Sequence, residues 1–572
     1  MSIRFSRWFR IAGVTAALAA LAVACGGAEE PTASPTSPPA VVATPTPTVA
    51  VATPTPTAAP IKKGGIVKQS HRRSPLTFRL DVNSSTDQVA AAATLYNGLI
   101  ALQPPDFLTI GPDLAESWSV SADGKTYTFK LVPGVVNHLG HPWTAKDAKF
   151  TLELLTKKTA SRPPHTYVTV GGVSVFESIE APDDTTLVVK LKERDTLWFP
   201  QMAQPEMAMF TQADYDEATS KDKPVGTGPF RLVRHQQQEL LVYEANPDYF
   251  RKGVPYLAGF ETHIIADTAT IHAALEAKRI DLIMMGGSEG ANERNTSVIE
   301  GRYPGQITRY SGLHPVGRGI LFNFRADGPW QDKRVRQAIN LALSRDDICT
   351  VIPNCFVGDW MPSPKWGSKD REALAKRPGF ALKGPAKDAE INRAQELMKE
   401  AGYEKGFTVR SICRSEVDYK DYWCPMAEFV LRDLLGIRMT LELNDRAVHT
   451  EKLDKGDWLL RADAYGGMRV DHPYDWLDVN VFCGQELPNN ATGYCNQEYN
   501  DLLKQLRTAS DTETRRISDR ILEIFYDDVP GVLGFWSNRW VVHWNYVKNV
   551  PDQRYWGGYT QSRRLEYVWL DK

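Results

Sequence analysis

LFNFRADGPWQDKRVRQAINLALSRDDI, residues 321–348, reads as a short buried strand, a turn and two helices in close succession. Leu321, Phe322 and Phe324 form an apolar run around Asn323, and Gly328-Pro329 breaks the chain. Asp332 stands where an N-cap belongs, since a carboxylate there accepts the orphan N–H groups of the first turn. Val335, Ala338, Ile339, Ala342 and Leu343 then recur at the spacing of one helix face, with Lys333, Arg334 and Arg336 on the other. Ser344, followed three residues later by Asp347, predicts a capping-box relative at the head of the second helix. A joint of this kind connects two parts of a large α/β protein.

The wording FNF…PWQDKRVRQAINLALSRDDI resembles the signature of the family 5 extracytoplasmic solute-binding proteins, the dipeptide-, oligopeptide- and nickel-binding components of ABC importers. The resemblance extends over the chain after about residue 61. GGIV at 64–67 is similar to the family's opening strand. PDLAESWSVSADGKTYTFKL, from Pro112, is a second match and reads as a hairpin turning at Ala122-Asp123-Gly124. Thr144 with Asp147 predicts a capping box for the helix that follows, buried along Ala148, Leu152 and Leu155. VGTGPF at 225–230 is a third match. Its glycines suit a tight turn, and neither G-x-G-x-x-G spacing nor a following helix makes it a nucleotide site. A helix over 388–401, capped by Asp388 and Gly402, precedes a strand, helix and strand at 407–413, 426–435 and 437–443, the order of a βαβ unit. Two further strands are expected at 532–536 and 540–546.

Composition agrees with a multi-domain globular chain. The 572 residues carry a formal net charge of −2, with 42% hydrophobic and 24% charged residues. No basic excess exists to neutralise phosphates, so nucleic acid is not an expected partner. At the N-terminus, Arg4, Arg7 and Arg10 precede an apolar run over 11–23, too short for a stable membrane span. Ala22-Val23-Ala24-Cys25 then reads as a lipobox, with a signal peptide at 1–24 and Cys25 as the lipidated first residue of the mature chain. Residues 25–60 form a Pro/Thr-rich tether in which VATPTPT occurs at 42–48 and 51–57. Such a run lacks the apolar density for a core and favours an extended form, about 3 Å per residue.

Six further cysteines fall in close pairs: Cys349 with Cys355, Cys413 with Cys424, and Cys483 with Cys495. An even count in an exported chain favours three local disulfides over the competing metal site, for which no C-x-x-C spacing stands ready. The resemblance supports the 483/495 pair most directly. It also places His138 and His141 in a surface turn, so no metal or cofactor is expected.

The resemblance implies an α/β, two-lobe periplasmic-binding-protein-like fold with an additional subdomain inserted in the first lobe. Lobe I is expected over 61–99, 225–318 and 539–572, the inserted subdomain over 100–224, and lobe II over 319–538, with hinges near 314–318 and 537–540. The ligand belongs between the lobes. Asp471 stands where peptide binders hold the ligand's α-ammonium, although VDHPYD departs from the family's usual wording there. Arg414, with Arg410 as the alternative, stands where the dipeptide binder pairs with the ligand carboxylate. The Gly466-Gly467-Met468 backbone could take a peptide as an added strand, and Trp423, Tyr474 and Trp476 could wall the pocket. The chain contains neither H-E-x-x-H nor a Walker A loop, and no catalysis is expected. The implied protein is a monomeric lipoprotein on the outer face of the cell membrane that captures peptides for an ABC permease and its ATPase. Oligosaccharides or nickel and metal chelates are the alternative ligands on the same fold.

Overall fold

Two long strands, Ile307–Phe322 and Gly531–Trp544, run antiparallel through the middle of the molecule and belong to both of its halves. The computed structural model describes residues 60–82, 86–104, 109–158, 165–170, 173–283, 293–366, 370–465, 470–477, 492–551 and 565–572. The lipobox, Cys25 and the tether lie outside these.

The sheet built on the two long strands has the order Phe230–Gln236, Leu240–Ala245, Gly259–Ile264, Ile66–His71, Leu282–Ile283, Gly531–Trp544, Ile307–Phe322, Leu460–Tyr465, Thr408–Arg414, Arg438–Asn444. The first part of Ile307–Phe322 pairs with the end of Gly531–Trp544, from Ile307↔Trp544 to His314↔Ser537. The ladder then shifts register between His314 and Arg318 and again before Gly319, after which Gly317–Phe322 also pairs with Leu460–Tyr465. An irregularity at one level of two neighbouring strands bends both together. The strands expected at 532–536 and 540–546 are therefore one continuous strand, since the ladder to Ile307–Phe322 carries on through the intervening Ser537–Arg539.

A separate four-stranded sheet, Ala115–Val120, Thr126–Leu131, Thr186–Leu191 and Phe176–Asp183 in spatial order, carries helix Ala145–Thr156 on one side. Thr144 and Asp147 form the expected capping box there. Phe129, Trp198, Leu152 and Leu187 are among the fully buried residues of this module. The VGTGPF segment crosses the neighbouring backbone so closely that a Cβ at Gly226 or Gly228 would stand 2.2 or 2.3 Å from main-chain atoms of Leu95. Close approach, rather than a turn alone, explains these glycines.

Residues 321–348 fold as strand, turn and two helices, Lys333–Ala342 and Arg345–Val351. Asp332 caps the first by accepting from the Arg334 N–H at 2.8 Å. Val335, Ala338, Ile339, Ala342 and Leu343 are all buried. Two details differ from the expectation. Arg336 is buried, donating to the Asp528 and Val529 carbonyls at 3.0 and 3.1 Å and to the Trp330 carbonyl at 2.8 Å. The Asp528 and Val529 carbonyls stand at the end of helix Asp511–Asp528, where a cation is favoured. Ser344 makes no backbone cap; its hydroxyl donates to Asp347 Oδ2 at 2.6 Å. Likewise Asp388 lies inside helix Pro385–Glu400, whose N-cap is Gly384.

The halves of the βαβ reading are in place: Thr408–Arg414 and Arg438–Asn444 are parallel, joined through helix Cys424–Leu435. Disulfides join Cys349 to Cys355 and Cys413 to Cys424. Cys495 is disulfide-bonded too, and Cys483 lies outside the described residues.

Candidate ligand-binding site

Parallel strands deliver their C-terminal ends to one edge of a sheet, and the loops that follow face any crevice there. Arg414 and Asn444 are register partners at the ends of Thr408–Arg414 and Arg438–Asn444. Ile66–His71 ends similarly, parallel to Gly259–Ile264. The loops after these ends meet. Arg73 Nη1 lies 3.0 Å from Glu416 Oε1, and Arg73 Nε 3.2 Å from Asp87 Oδ2. Arg446, the first residue of helix Arg446–Lys455, reaches the same Asp87 oxygen at 3.8 Å. Glu416–Arg73–Asp87–Arg446 is thus a chain of alternating charges that links the loops after these strand ends.

Arg414 sits behind this chain. Its Nε is 2.7 Å from Asp463 Oδ1, and its guanidinium lies 5.2 Å from the centre of the Tyr419 ring. Arg318 stands over Tyr419 as well, at 4.8 Å. Asp463 is wholly buried on strand Leu460–Tyr465; His449 Nε2 lies 2.8 Å from its other oxygen and Arg461 Nη1 at 3.5 Å. Burial alone would push the Asp463 carboxyl up, but Arg414, His449 and Arg461 outweigh it and hold it well below the usual carboxylate range. Burial would similarly lower Arg414, and Asp463, Tyr419 and Glu416 more than offset that. Asp463 engages only one edge of the guanidinium. No other carboxylate of the described residues is within ion-pair distance of Arg414, whose side chain keeps a fifth of its surface exposed. Arg410, the alternative to Arg414, is bound at the surface to Glu442 and Asp457.

Asp471 belongs to a second group. One carboxylate oxygen accepts from Ser363 Oγ at 2.9 Å, and its carbonyl accepts from the Trp366 indole N–H at 2.8 Å. The other oxygen, Oδ1, is buried and receives no well-aligned hydrogen bond among the described residues, although the Trp476 indole lies close enough to pull on the carboxylate. Burial raises this carboxyl above its ordinary value, against the opposing pull of Ser363, Lys365 and Trp476. Beside it, His472 is pushed down to about 3 by burial, with Lys365 and Arg507 adding to the effect.

The aromatic residues expected as walls divide. Tyr474 and Trp476 follow Asp471 on helix Pro473–Leu477 but are buried, Tyr474 beneath the Arg507 guanidinium at 4.9 Å and Trp476 against Trp536. Trp423 is a core residue: it is fully buried, packs edge-on to Phe535 and donates its indole N–H to the Gly319 carbonyl at 3.1 Å. It ends the π-helix Asp418–Trp423, and its neighbour Cys424 is tied to Cys413. Gly467 and Met468 lie outside the described residues. So does GGSEG at 286–290, a G-x-S-x-G string of the kind used by nucleophile elbows.

Sequence reading missed Asp463, Ser363, Trp366, Arg73, Glu416, Asp87 and Arg446. Only Asp463 left a signal, an acid between two alanines in the strand LRADAY. The others meet through contacts between residues up to 343 positions apart, to which local pattern is blind. Among the described residues, no cluster of three or more histidines, cysteines or carboxylates could hold a metal ion, and His138 and His141 bond instead to the Gly228 carbonyl and to Asp214.

The sequence profile of the bacterial extracellular solute-binding proteins, family 5 Middle, matches residues 109–485. The glutathione-binding protein GsiB of Pectobacterium atrosepticum is 28% identical over 332 residues, which are 57% of this chain and 59% of that relative. GsiB of Escherichia coli K12 is 26% identical over 467 residues, 79% of this chain and 85% of the relative. The first of these is matched over about three fifths of its length. The periplasmic binding protein DppA of Helicobacter pylori, in complex with the peptide STSA, superposes with a TM-score of 0.73 at 22% identity, covering 89% of this chain and 99% of its own. The fold is the two-lobe fold of periplasmic binding proteins.

Proposed function

Because the chain belongs to the bacterial extracellular solute-binding proteins of family 5, we propose that it captures peptides in the crevice between its lobes and delivers them to an ABC permease. In this reading lobe I comprises 61–99, 225–318 and 539–572, the inserted subdomain 100–224 and lobe II 319–538. The shifted register between His314 and Gly319 is the flexing level. The lipobox at Cys25 anchors the chain to the outer face of the membrane through the extended tether. Among the described residues no helix is long and apolar enough to cross a membrane.

The observation that carries the proposal is the buried carboxylate of Asp471, with no cation at ion-pair distance and no well-aligned donor to Oδ1 among the described residues. A buried carboxylate oxygen without a donor costs free energy unless something supplies one. A peptide's α-ammonium supplies both the donor and the opposite charge, and the open edge of Arg414 suits the other terminus. Asp471→Asn tests this. Titration calorimetry with di- to pentapeptides is expected to show binding to the wild type, weakened about tenfold to a hundredfold in the variant.

The sign of the stability effect is opposite. A carboxyl whose folded value is raised contributes stability at low pH that is lost as pH rises, so the ionised group is a burden on the empty protein at neutral pH. Asp471→Asn is therefore expected to leave the melting temperature of the ligand-free protein unchanged or higher. Unchanged affinity, or a lowered melting temperature with lost binding, overturns the assignment.

A further inference from the structure

We infer that Arg446, acting beside Arg414, selects solutes that carry a second carboxylate next to their terminal one, which makes acidic peptides the preferred class. The inference rests on the proposed capture of peptides in the crevice.

It starts from unfilled donors. A guanidinium has five N–H groups in a planar fork and binds carboxylates two prongs at a time. Arg446 makes no hydrogen bond within the described structure. Its one ionic neighbour, Asp87, is 3.8 Å away and is already engaged more closely by Arg73 at 3.2 Å. Arg414 is held on one side only, by Asp463. Both side chains remain reachable from solvent, 40% and 20% exposed.

Arg414 is the register partner of Asn444, two residues before Arg446, so the two cations stand on neighbouring strand ends. Arg446 is lowered from the usual guanidinium value by burial first and by Arg414 second, with Arg73 adding to this and Asp87 and Glu416 opposing it. Like charges brought close need an anion between them. Of the two carboxylates on this face, Glu416 gives Oε1 to Arg73 and keeps Oε2 buried, and Asp87 lies between Arg73 and Arg446. A solute with one carboxylate satisfies Arg414 and leaves Arg446 as it is. A solute with two neighbouring carboxylates, such as a peptide ending in glutamate, gives each fork its own acceptor.

The test uses the full chain and three tripeptides of equal length, Ala-Ala-Glu, Ala-Ala-Gln and Ala-Ala-Lys, in titration calorimetry. The wild type is expected to bind Ala-Ala-Glu about tenfold more tightly than Ala-Ala-Gln, the scale of one charge-assisted contact, with Ala-Ala-Lys weakest. Arg446→Gln is expected to bring the Glu and Gln peptides to within about twofold of each other, with the melting temperature recorded beside it to confirm that the variant is folded. Arg446→Lys, which keeps the charge, should retain part of the preference. Equal binding of all three peptides by the wild type, or a Glu preference that survives Arg446→Gln, overturns the inference and leaves peptide capture standing. Absence of binding by any of the three overturns both.

Discussion

The four-stranded module and the strand ends around Arg73 both make ion pairs to residues more than three hundred positions away, but one contact is dry and the other wet. In the dry one, Arg507 Nε lies 3.1 Å from Asp195 Oδ2 and Nη2 is bonded to the same oxygen, with both side chains under a tenth exposed. Asp195 Oδ1 meanwhile accepts from the Leu197 and Trp198 N–H groups, and Thr196 donates both its N–H and its hydroxyl to the Arg507 carbonyl. Leu197 is buried among Trp360, Tyr474, Trp476 and Leu503. In the wet one, Arg73 and Arg446 are each about 40% exposed. A buried pair with every oxygen occupied fixes geometry, since breaking it strands a charge away from water. An exposed pair exchanges with water at little cost and is free to re-form around a solute.

The contrast breaks most visibly at Arg507. Arg507→Ala leaves Asp195 buried without its partner and is expected to cost about 3–5 kcal/mol in denaturant unfolding. A loss near that of a surface residue would mean that the module does not hold to helix Gln497–Leu506 in solution.

Acid sharpens the comparison at both ends. His472 stands near Arg507 and is held down to about 3; His71 stands near Asp87 and is held down to about 4 by a burial that the Asp87 charge only partly offsets. A histidine with a depressed folded value binds its proton more readily in the unfolded chain. Its contribution is complete above the unfolded value of about 6.5 and is lost as pH falls from there towards 4. The melting temperature is expected to drop over that range, and to drop less in His71→Gln and in His472→Gln. A melting temperature flat between pH 7 and 4 would show that neither ring is shielded from water.

How far sequence reached follows the same division between local and assembled. Helix Lys333–Ala342, its Asp332 cap and its apolar stripe were legible because a helix writes its buried face at fixed spacing. Arg336 was not, because periodicity counts every arginine as surface. Its burial depends on main-chain carbonyls at Asp528 and Val529, nearly two hundred positions away. Arg345 shows the same effect: it lies over Phe380 at 4.1 Å and donates to the Leu533 carbonyl. The continuity of Gly531–Trp544 across its predicted break also depended on a distant partner strand. At the candidate site, family wording pointed to Arg414 and Asp471, while Asp463, which orients Arg414, had to be found in space. For Trp423 sequence left two readings open, a pocket wall or a core residue, because an aromatic side chain suits either; in space it is fully buried beside the Cys413–Cys424 bond.

The smallest effect belongs to the wet contact. Arg73→Gln removes the link shared by Glu416 and Asp87, yet all four residues of that chain keep contact with water. The expected cost in unfolding is about 0–1 kcal/mol, shrinking further as salt rises from low ionic strength. What should change is the spacing of the strand-end loops that carry Arg73 and Glu416, because the Arg73 link joins them. Small-angle scattering on the ligand-free protein is expected to give a larger radius of gyration for Arg73→Gln than for wild type at low salt, and equal values at high salt. A stability loss as large as that of Arg507→Ala would erase the distinction between the two contacts, since it would mean that the strand-end pairs are as closed to water as Asp195 and Arg507.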